Sequence, residues 1–238
     1  MTNPERSAPP LDPTQIVDWV FDLDNTLYPR HCDLFGQIDV RMTAYVSRLT
    51  GLAHDEARIF QKQLYRDHGT TLNGLMIQYE IDPHHYLADV HDIDYSVLEP
   101  DPGLGEAIAA LPGRKHVFTN GDVPHARKAL AAIGIPESMF FSIFDIVAAD
   151  FAPKPERKAF ELFVKAHGIE PHKAVMFEDM PRNLETAKAM GMTTVLVTPK
   201  SGREHKAEHW EIAGHDDPHV DHLTDDLGGF LKGIITLV

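Results

Sequence analysis

Cysteine is almost missing from this chain: Cys32 stands alone among 238 residues. No disulfide can close within it, and a reducing, cytoplasmic setting is expected, with Cys32 itself incidental. Lysine and arginine are scarce too, 22 against 36 aspartates and glutamates, which leaves a formal charge of −14 at neutral pH. So acidic a chain argues against nucleic-acid polymers and anionic membranes as partners. Also lacking is any apolar stretch long enough to cross a bilayer. From Met1 to Thr14 there are three prolines before Pro13 and no apolar centre, so the segment reads as a flexible leader rather than a secretory signal. What the chain does have is material for a core, with 43% hydrophobic residues, enough for one large domain or two smaller ones.

The informative feature is a pair of aspartates, Asp22 and Asp24, at the end of the apolar run that starts at Ile16. An apolar run that breaks abruptly into acids predicts a buried strand whose C-terminal edge opens into a site, as open α/β sheets do. Close carboxylates repel, so both stay ionised only beside a cation, or one keeps a proton. The pattern recurs in Val117-Phe118-Thr119-Asn120-Gly121 and in Val175-Met176-Phe177-Glu178-Asp179. Between them, Lys154 sits between Pro153 and Pro155, which predicts a stiff turn from which the lysine projects.

Between residues 33 and 100 the spacing is helical. Phe35, Ile38, Met42, Tyr45, Val46 and Leu49 make one stripe; Ala57, Phe60 and Leu64 a second; Leu72, Leu75, Met76 and Tyr79 a third. Asp82-Pro83 is a cap and first turn for a fourth helix, with Leu87 and Val90 inward, and Gly69 and Gly74 fit a turn between helices. After Pro102, strands and helices alternate: strands at His116–Thr119, Ile143–Ala148, Ala174–Phe177 and Thr193–Val197, helices at Leu104–Leu111, Pro124–Ile133, Pro155–His167 and Pro181–Met190. Helices closing at Gly134, Gly168 and Gly191 between continuous apolar strands predict βαβ units. The expected architecture is α/β, a three-layer doubly wound parallel sheet (15–32 and 101–238) with an inserted helical cap (33–100). Lys200 to His222 carries His205, His209, His215, His219 and His222 at irregular spacing, which reads as a loop rather than a zinc site. Val220–Thr224 is a candidate edge strand and Leu227–Ile234 a last helix.

Four ordered motifs, Asp22-Leu23-Asp24-Asn25-Thr26, Thr119-Asn120-Gly121, Lys154, and Glu178-Asp179 with Asn183, make the chain resemble the haloacid-dehalogenase-like superfamily of phosphotransferases from about Ile16 to Val197. Tyr28-Pro29, the stretch Tyr65-Arg66-Asp67-His68-Gly69 and Gly74 resemble its pyrimidine 5'-nucleotidase branch.

A carboxylate at a strand end, Asp22, is suited to in-line attack on phosphorus, because the acyl phosphate it forms hydrolyses readily. Asp24 would protonate the leaving alkoxide and later take a proton from water. The resemblance adds that its main-chain carbonyl binds the metal. Alone, Asp-x-Asp is equally a solvated turn, Thr-Asn-Gly an ordinary turn and a lysine between prolines a surface loop. Thr119, Asn120 and Gly121 offer a hydroxyl, an amide and close backbone approach to phosphate oxygens. Lys154 is a compact cation for charge developing on the transferring group. Glu178 and Asp179 would complete with Asp22 an all-oxygen site suited to Mg2+. The resemblance assigns Asp179 the direct contact and Glu178 one through water. Asn183, one turn on, is placed to brace the loop or Lys154, and Arg182 is expected to be solvated.

Hydrolytic dehalogenation in this superfamily proceeds without an acid at the position of Asp24, because halide leaves without a proton. An alkoxide needs one, so a phosphatase is expected. The resemblance implies a Mg2+-dependent phosphomonoesterase acting on a nucleoside monophosphate such as UMP or CMP, as a monomer or homodimer. Alternatives are a phosphoglycolate or sugar-phosphate phosphatase, a β-phosphoglucomutase-like enzyme, and a non-enzymatic phosphometabolite-binding module. The cap would set the substrate, with Tyr28, Tyr65, Gly69, Thr70 and Thr71 near its opening. Tyr65 would stack on a base or else pack with Phe60 and Leu64, while Thr70 and Thr71 would bond a pyrimidine edge.

Overall fold

The computed structural model describes residues 11–200 and 217–236. Six strands, β1 (Asp18–Phe21), β2 (Arg114–Phe118), β3 (Ser142–Phe144), β4 (Ala174–Glu178), β5 (Thr193–Val197) and β6 (His222–Thr224), form one sheet. All neighbours run parallel, in the order β3-β2-β1-β4-β5-β6. Strand side chains alternate between faces. Trp19, Phe21, Val117, Val175 and Phe177 therefore pack on one side, against α5 (Pro102–Ala110), α6 (Val123–Ala132) and α9 (Leu227–Ile235). Val20, Phe118, Phe144 and Met176 pack on the other, against α7 (Arg157–His167) and α8 (Pro181–Ala189). This is the expected three-layer, doubly wound sheet. Strand order reverses beside β1, between β2 and β4, and connections that diverge there leave a crevice at the carboxyl edge.

Four helices lie in sequence between β1 and β2: α1 (Leu34–Thr50), α2 (His54–His68), α3 (Thr71–Tyr79) and α4 (Pro83–Val90). They share an apolar cluster of their own around Ile38, Val46, Leu64, Leu75 and Tyr86, joined by Ile146 from the sheet side. Asp82 caps α4 through His84 N, as the sequence predicts, and Gly51 closes α1 in the left-handed region.

Some bounds differ from the sequence reading. The strand expected over 143–148 stops at Phe144, because the Asp145 carboxylate accepts from Val123 N and Ala148 N and turns the chain away. Gly69, at φ +81°, does form the α2–α3 turn, whereas Gly74 lies inside α3, where a methyl group would come within 2.9 Å of Leu64 Cβ. His205, His209 and His215, and the first ten residues of the leader, lie outside the described residues. Among the described residues, no helix is long and apolar enough to cross a membrane.

Candidate active site

β1, β2 and β4 are hydrogen-bonded neighbours, so their carboxyl ends bring Asp22, Thr119 and Glu178 to one edge. Asp22 N donates to Phe177 O at 2.9 Å, which ties the first residue past β1 to β4. Lys154 then arrives from the loop before α7. It does not project, as the sequence suggested, but turns inward and is 1% exposed. Its Nζ donates to Asp22 Oδ1 at 2.6 Å, Glu178 Oε2 at 2.7 Å and Phe118 O at 2.8 Å. Three donors meet three acceptors, so the ammonium is saturated.

Asn120 explains how the lysine is aimed. Its Oδ1 accepts from Lys154 N at 2.8 Å, and its Nδ2 donates to Lys154 O at 3.2 Å. One N–H of that side-chain amide thus goes to the loop that carries the cation, and Asn120 also lines the cavity. Thr119 Oγ1 accepts from Gly121 N at 2.9 Å. Gly121 lines the cavity over this edge, and a methyl group there would sit 3.0 Å from His125 Cδ2 and 3.8 Å from Asp24 Oδ2. A side chain at this position would press on the His125 ring, so the space favours glycine.

Asp22, Glu178 and Asp179 present carboxylate oxygens within 4.8 Å of one another. Burial, together with the Glu178 charge, pushes Asp22 up to about 7 against the pull of Lys154. Burial likewise takes Glu178 to about 7, with Lys154 opposing and Asp179 reinforcing. Asp179 rises to about 6, because burial and Asp22 outweigh the Arg30 guanidinium, whose Nη2 lies 2.7 Å from its Oδ2. Burial works against the Lys154 charge, but Asp22 and Glu178 outweigh it and leave its pKa raised.

Such a trio fits a hard divalent cation. A second observation agrees: Asn183 lines the same cavity, and its buried Oδ1 has no hydrogen-bond partner among the described residues. That oxygen does not brace Lys154, and it leaves a buried acceptor beside the carboxylates.

Asp24 is arranged differently. Its Oδ1 accepts from the Tyr28 hydroxyl and from His125 Nε2, the latter at 2.8 Å, which leaves Oδ2 for chemistry. Burial alone would raise its pKa, yet the His125 charge and the hydrogen bonds from His125 and Tyr28 outweigh it and bring Asp24 down to about 2. His125 Nδ1 meets the Tyr95 hydroxyl at 2.8 Å, and its ring stacks on His91 at 4.3 Å. His91 Nδ1 in turn lies 2.9 Å from Asp122 Oδ1. Sequence reasoning missed His125 and Arg30. A histidine in the first turn of the helix after Thr119-Asn120-Gly121 carries no period or spacing signal, whereas an arginine directly after Tyr28-Pro29 could have been noticed.

The residues placed at the cap opening are scattered. Tyr28 is buried on Asp24. Thr71 Oγ1 accepts from Gln61 Nε2 at 2.9 Å inside the helices, and Thr70 Oγ1 caps α3 through Asn73 N at 3.1 Å. Thr70 and Tyr65 do line the cavity. Arg182, expected in solvent, lies over the Tyr65 ring at 4.6 Å and donates to Gly69 O at 2.7 Å, fastening α8 to the α2–α3 turn. One face of Tyr65 is therefore covered by a guanidinium.

The chain belongs to the haloacid dehalogenase-like hydrolases, whose family model matches residues 20–191. Phosphate metabolism protein 8 of Saccharomyces cerevisiae is 25% identical over 96% of this chain and 73% of its own length. Phosphoglycolate phosphatase of Rhodospirillum rubrum is 31% identical, over 47% of this chain and 45% of its own. Among solved structures, L-2-haloacid dehalogenase of Xanthobacter autotrophicus covers 94% of this chain and 100% of that one, with a TM-score of 0.59 at 15% identity. A HAD phosphatase of Thermococcus onnurineus covers 92% and 98%, with a TM-score of 0.57 at 19% identity. At such identities these two likenesses establish the fold.

Lys154→Met strands two buried carboxylates. A stability loss of about 3–5 kcal/mol is expected near neutral pH, and a smaller one in mild acid where the carboxyls take up protons, both read by denaturant unfolding. Raised carboxyl pKa values mean the fold holds protons that the unfolded chain has released. Asp22, Glu178 and Asp179 therefore weaken folding as pH rises from about 4 to about 7. A divalent cation displaces those protons, so added Mg2+ should raise Tm more at about pH 7.5 than at about pH 5. Calorimetry at the two pH values checks this. His125→Ala should lower kcat by about 10–100-fold with Asp24 still present, measured on any phosphate monoester that the wild type turns over.

Proposed function

We propose that the protein is a Mg2+-dependent phosphomonoesterase that works through an aspartyl-phosphate, and that its substrates are pyrimidine nucleoside monophosphates. The observation that carries the phosphatase reading is Asp24, a carboxylate held through one oxygen by His125 and Tyr28 with the other directed to the reaction. Halide departure would have no use for it.

In this reading Asp22 attacks phosphorus, the bond from phosphorus to the leaving oxygen breaks, and Asp24 supplies the proton that the alkoxide needs. Water then attacks the phosphoryl group, Asp24 accepts its proton, and Asp22 leaves with inorganic phosphate released. Asp24 rests ionised, so the proton it passes to the alkoxide has to reach Oδ2, the oxygen that His125 and Tyr28 leave clear, before the leaving oxygen departs. Lys154 holds Asp22 in place and offsets charge on the transferring group. Asp22, Asp179 and the Asp24 carbonyl would hold the ion, with Glu178 and Asn183 on its waters; the ion supplies charge neutralisation for the phosphoryl oxygens.

The helical layer α1–α4 acts as the cap, positions the leaving group and excludes water. Support for a nucleotide comes from Tyr28-Pro29, Tyr65 to Gly69 and Gly74, and from the polar and aromatic residues that α1 and α2 place in the cavity. The relative from Rhodospirillum rubrum favours a second reading, a phosphoglycolate phosphatase. A phosphate-release panel with Mg2+ separates them: turnover of UMP and CMP but not of glycolate phosphate or hexose phosphates supports the first reading, and the reverse supports the second. Asp22→Asn should bind substrate and fall to background, at least about a thousandfold down, because an amide cannot form the acyl phosphate. Normal turnover by that variant would end the covalent mechanism.

A further inference from the structure

The cavity between the helices and the sheet edge has two chemistries. Its acidic end is the trio of carboxylates; the part lined by Phe35, Met42 and Leu72 is apolar. Within the same cavity, Gln61 on α2 is 2% exposed. Its Nε2 is occupied by Thr71 Oγ1 at 2.9 Å, but its Oε1 has no hydrogen-bond partner among the described residues. Burying an amide oxygen without a donor is costly, and folds keep such atoms where a ligand or a water completes them.

The cations of the cavity narrow the ligand. Lys62 Nζ lies 2.8 Å from Asp39 Oδ1, and Arg30 Nη2 lies 2.7 Å from Asp179 Oδ2. Both positive side chains are thus engaged by acids that line the same cavity, so a second anionic group on the substrate would find its counter-charge already taken. That disfavours a leaving group carrying a carboxylate or another phosphate. A hexose would set its hydroxyls against Phe35 and Met42. A flat, neutral body with apolar faces and an N–H at its edge fits both the wall and the acceptor.

We propose that Gln61 is the residue that selects the leaving group, its Oε1 accepting the edge N–H of a pyrimidine base while Phe35 and Met42 cover the ring faces. The inference rests on the phosphatase reading above and adds the group that reads the base. Gln61 is a specificity-determining residue in this scheme, with no part in phosphoryl transfer.

The test compares UMP with ribose 5-phosphate, which presents the same phosphoester without a base. Wild type should prefer UMP in kcat/KM. Gln61→Met, close in shape but without the acceptor, should lower that preference about tenfold or more, whereas Thr71→Val, which removes the internal partner and leaves the acceptor, should retain it. A cap merely loosened by mutation would slow both substrates alike and leave the ratio unmoved. For a readout independent of any variant, 3-methyl-UMP, whose ring N–H is blocked, should be about tenfold poorer than UMP for the wild-type enzyme. An unchanged ratio in Gln61→Met, an equal loss in Thr71→Val, or equal turnover of UMP and its 3-methyl derivative would each overturn the assignment. Those results leave the phosphatase reading intact. Absence of phosphate release from every monoester with Mg2+ present would instead remove the reading on which this inference stands.

Discussion

The Lys154 ammonium is the interaction on which the site depends. Three carboxylates within 4.8 Å cannot all ionise in a buried place unless positive charge is built in among them. Lys154 touches two of them and Arg30 the third. When all three are ionised, two cations leave one net negative charge, enough to attract a divalent ion and too little to blow the edge apart. With such an ion bound the local sum turns positive, the sign a phosphate dianion requires. The acidic chain solves its electrostatic problem locally, within one crevice.

Topology makes this arrangement possible. Asp22, Lys154 and Glu178 are far apart in sequence, and it is the parallel neighbours β1 and β4 that put two of them side by side. The lysine has no strand of its own to place it, so both polar atoms of the Asn120 side chain grip its peptide. Asn120 extends from the end of β2, which makes the sheet, through one side chain, the ruler for the loop. Arg182 performs a similar service between α8 and the α2–α3 turn, where Gly69 also approaches Pro153.

Much of this was legible in the sequence, and the reason is periodicity. Strands with alternating faces, helices with glycine closings, and acids at the ends of apolar runs are local signals, and they place β1, β4, α7 and the acidic trio. Side-chain direction is another matter. Tyr28 looked like a residue of the opening, yet its hydroxyl bonds Asp24 four positions back, because the turn after β1 folds it into the core. Lys154 looked solvent-directed because flanking prolines describe a backbone, not where a side chain finds its counter-charges. His125 and Gln61 carried no signal at all: each sits on a helix whose polar positions are expected to face water, and each is instead buried among partners from other elements.

The two aspartates of the first motif, one residue apart, end in opposite electrostatic states. Asp22 is pushed up to about 7 and Asp24 held down to about 2, and neighbours rather than residue type make the difference. Asp22 faces two further acids, whereas Asp24 faces His125 with Tyr28. For a nucleophile and a proton carrier the useful order is the reverse. A hard cation beside Asp22 would favour its carboxylate form, while Asp24 keeps Oδ2 clear of the His125 and Tyr28 hydrogen bonds, open to carry a proton. A divalent ion at the trio, as proposed above, would reverse that order by replacing protons with positive charge beside Asp22. The same substitution of cation for proton would couple the folding of this edge to its chemistry, since carboxyls that strain the fold when ionised alone would then face the ion or its waters.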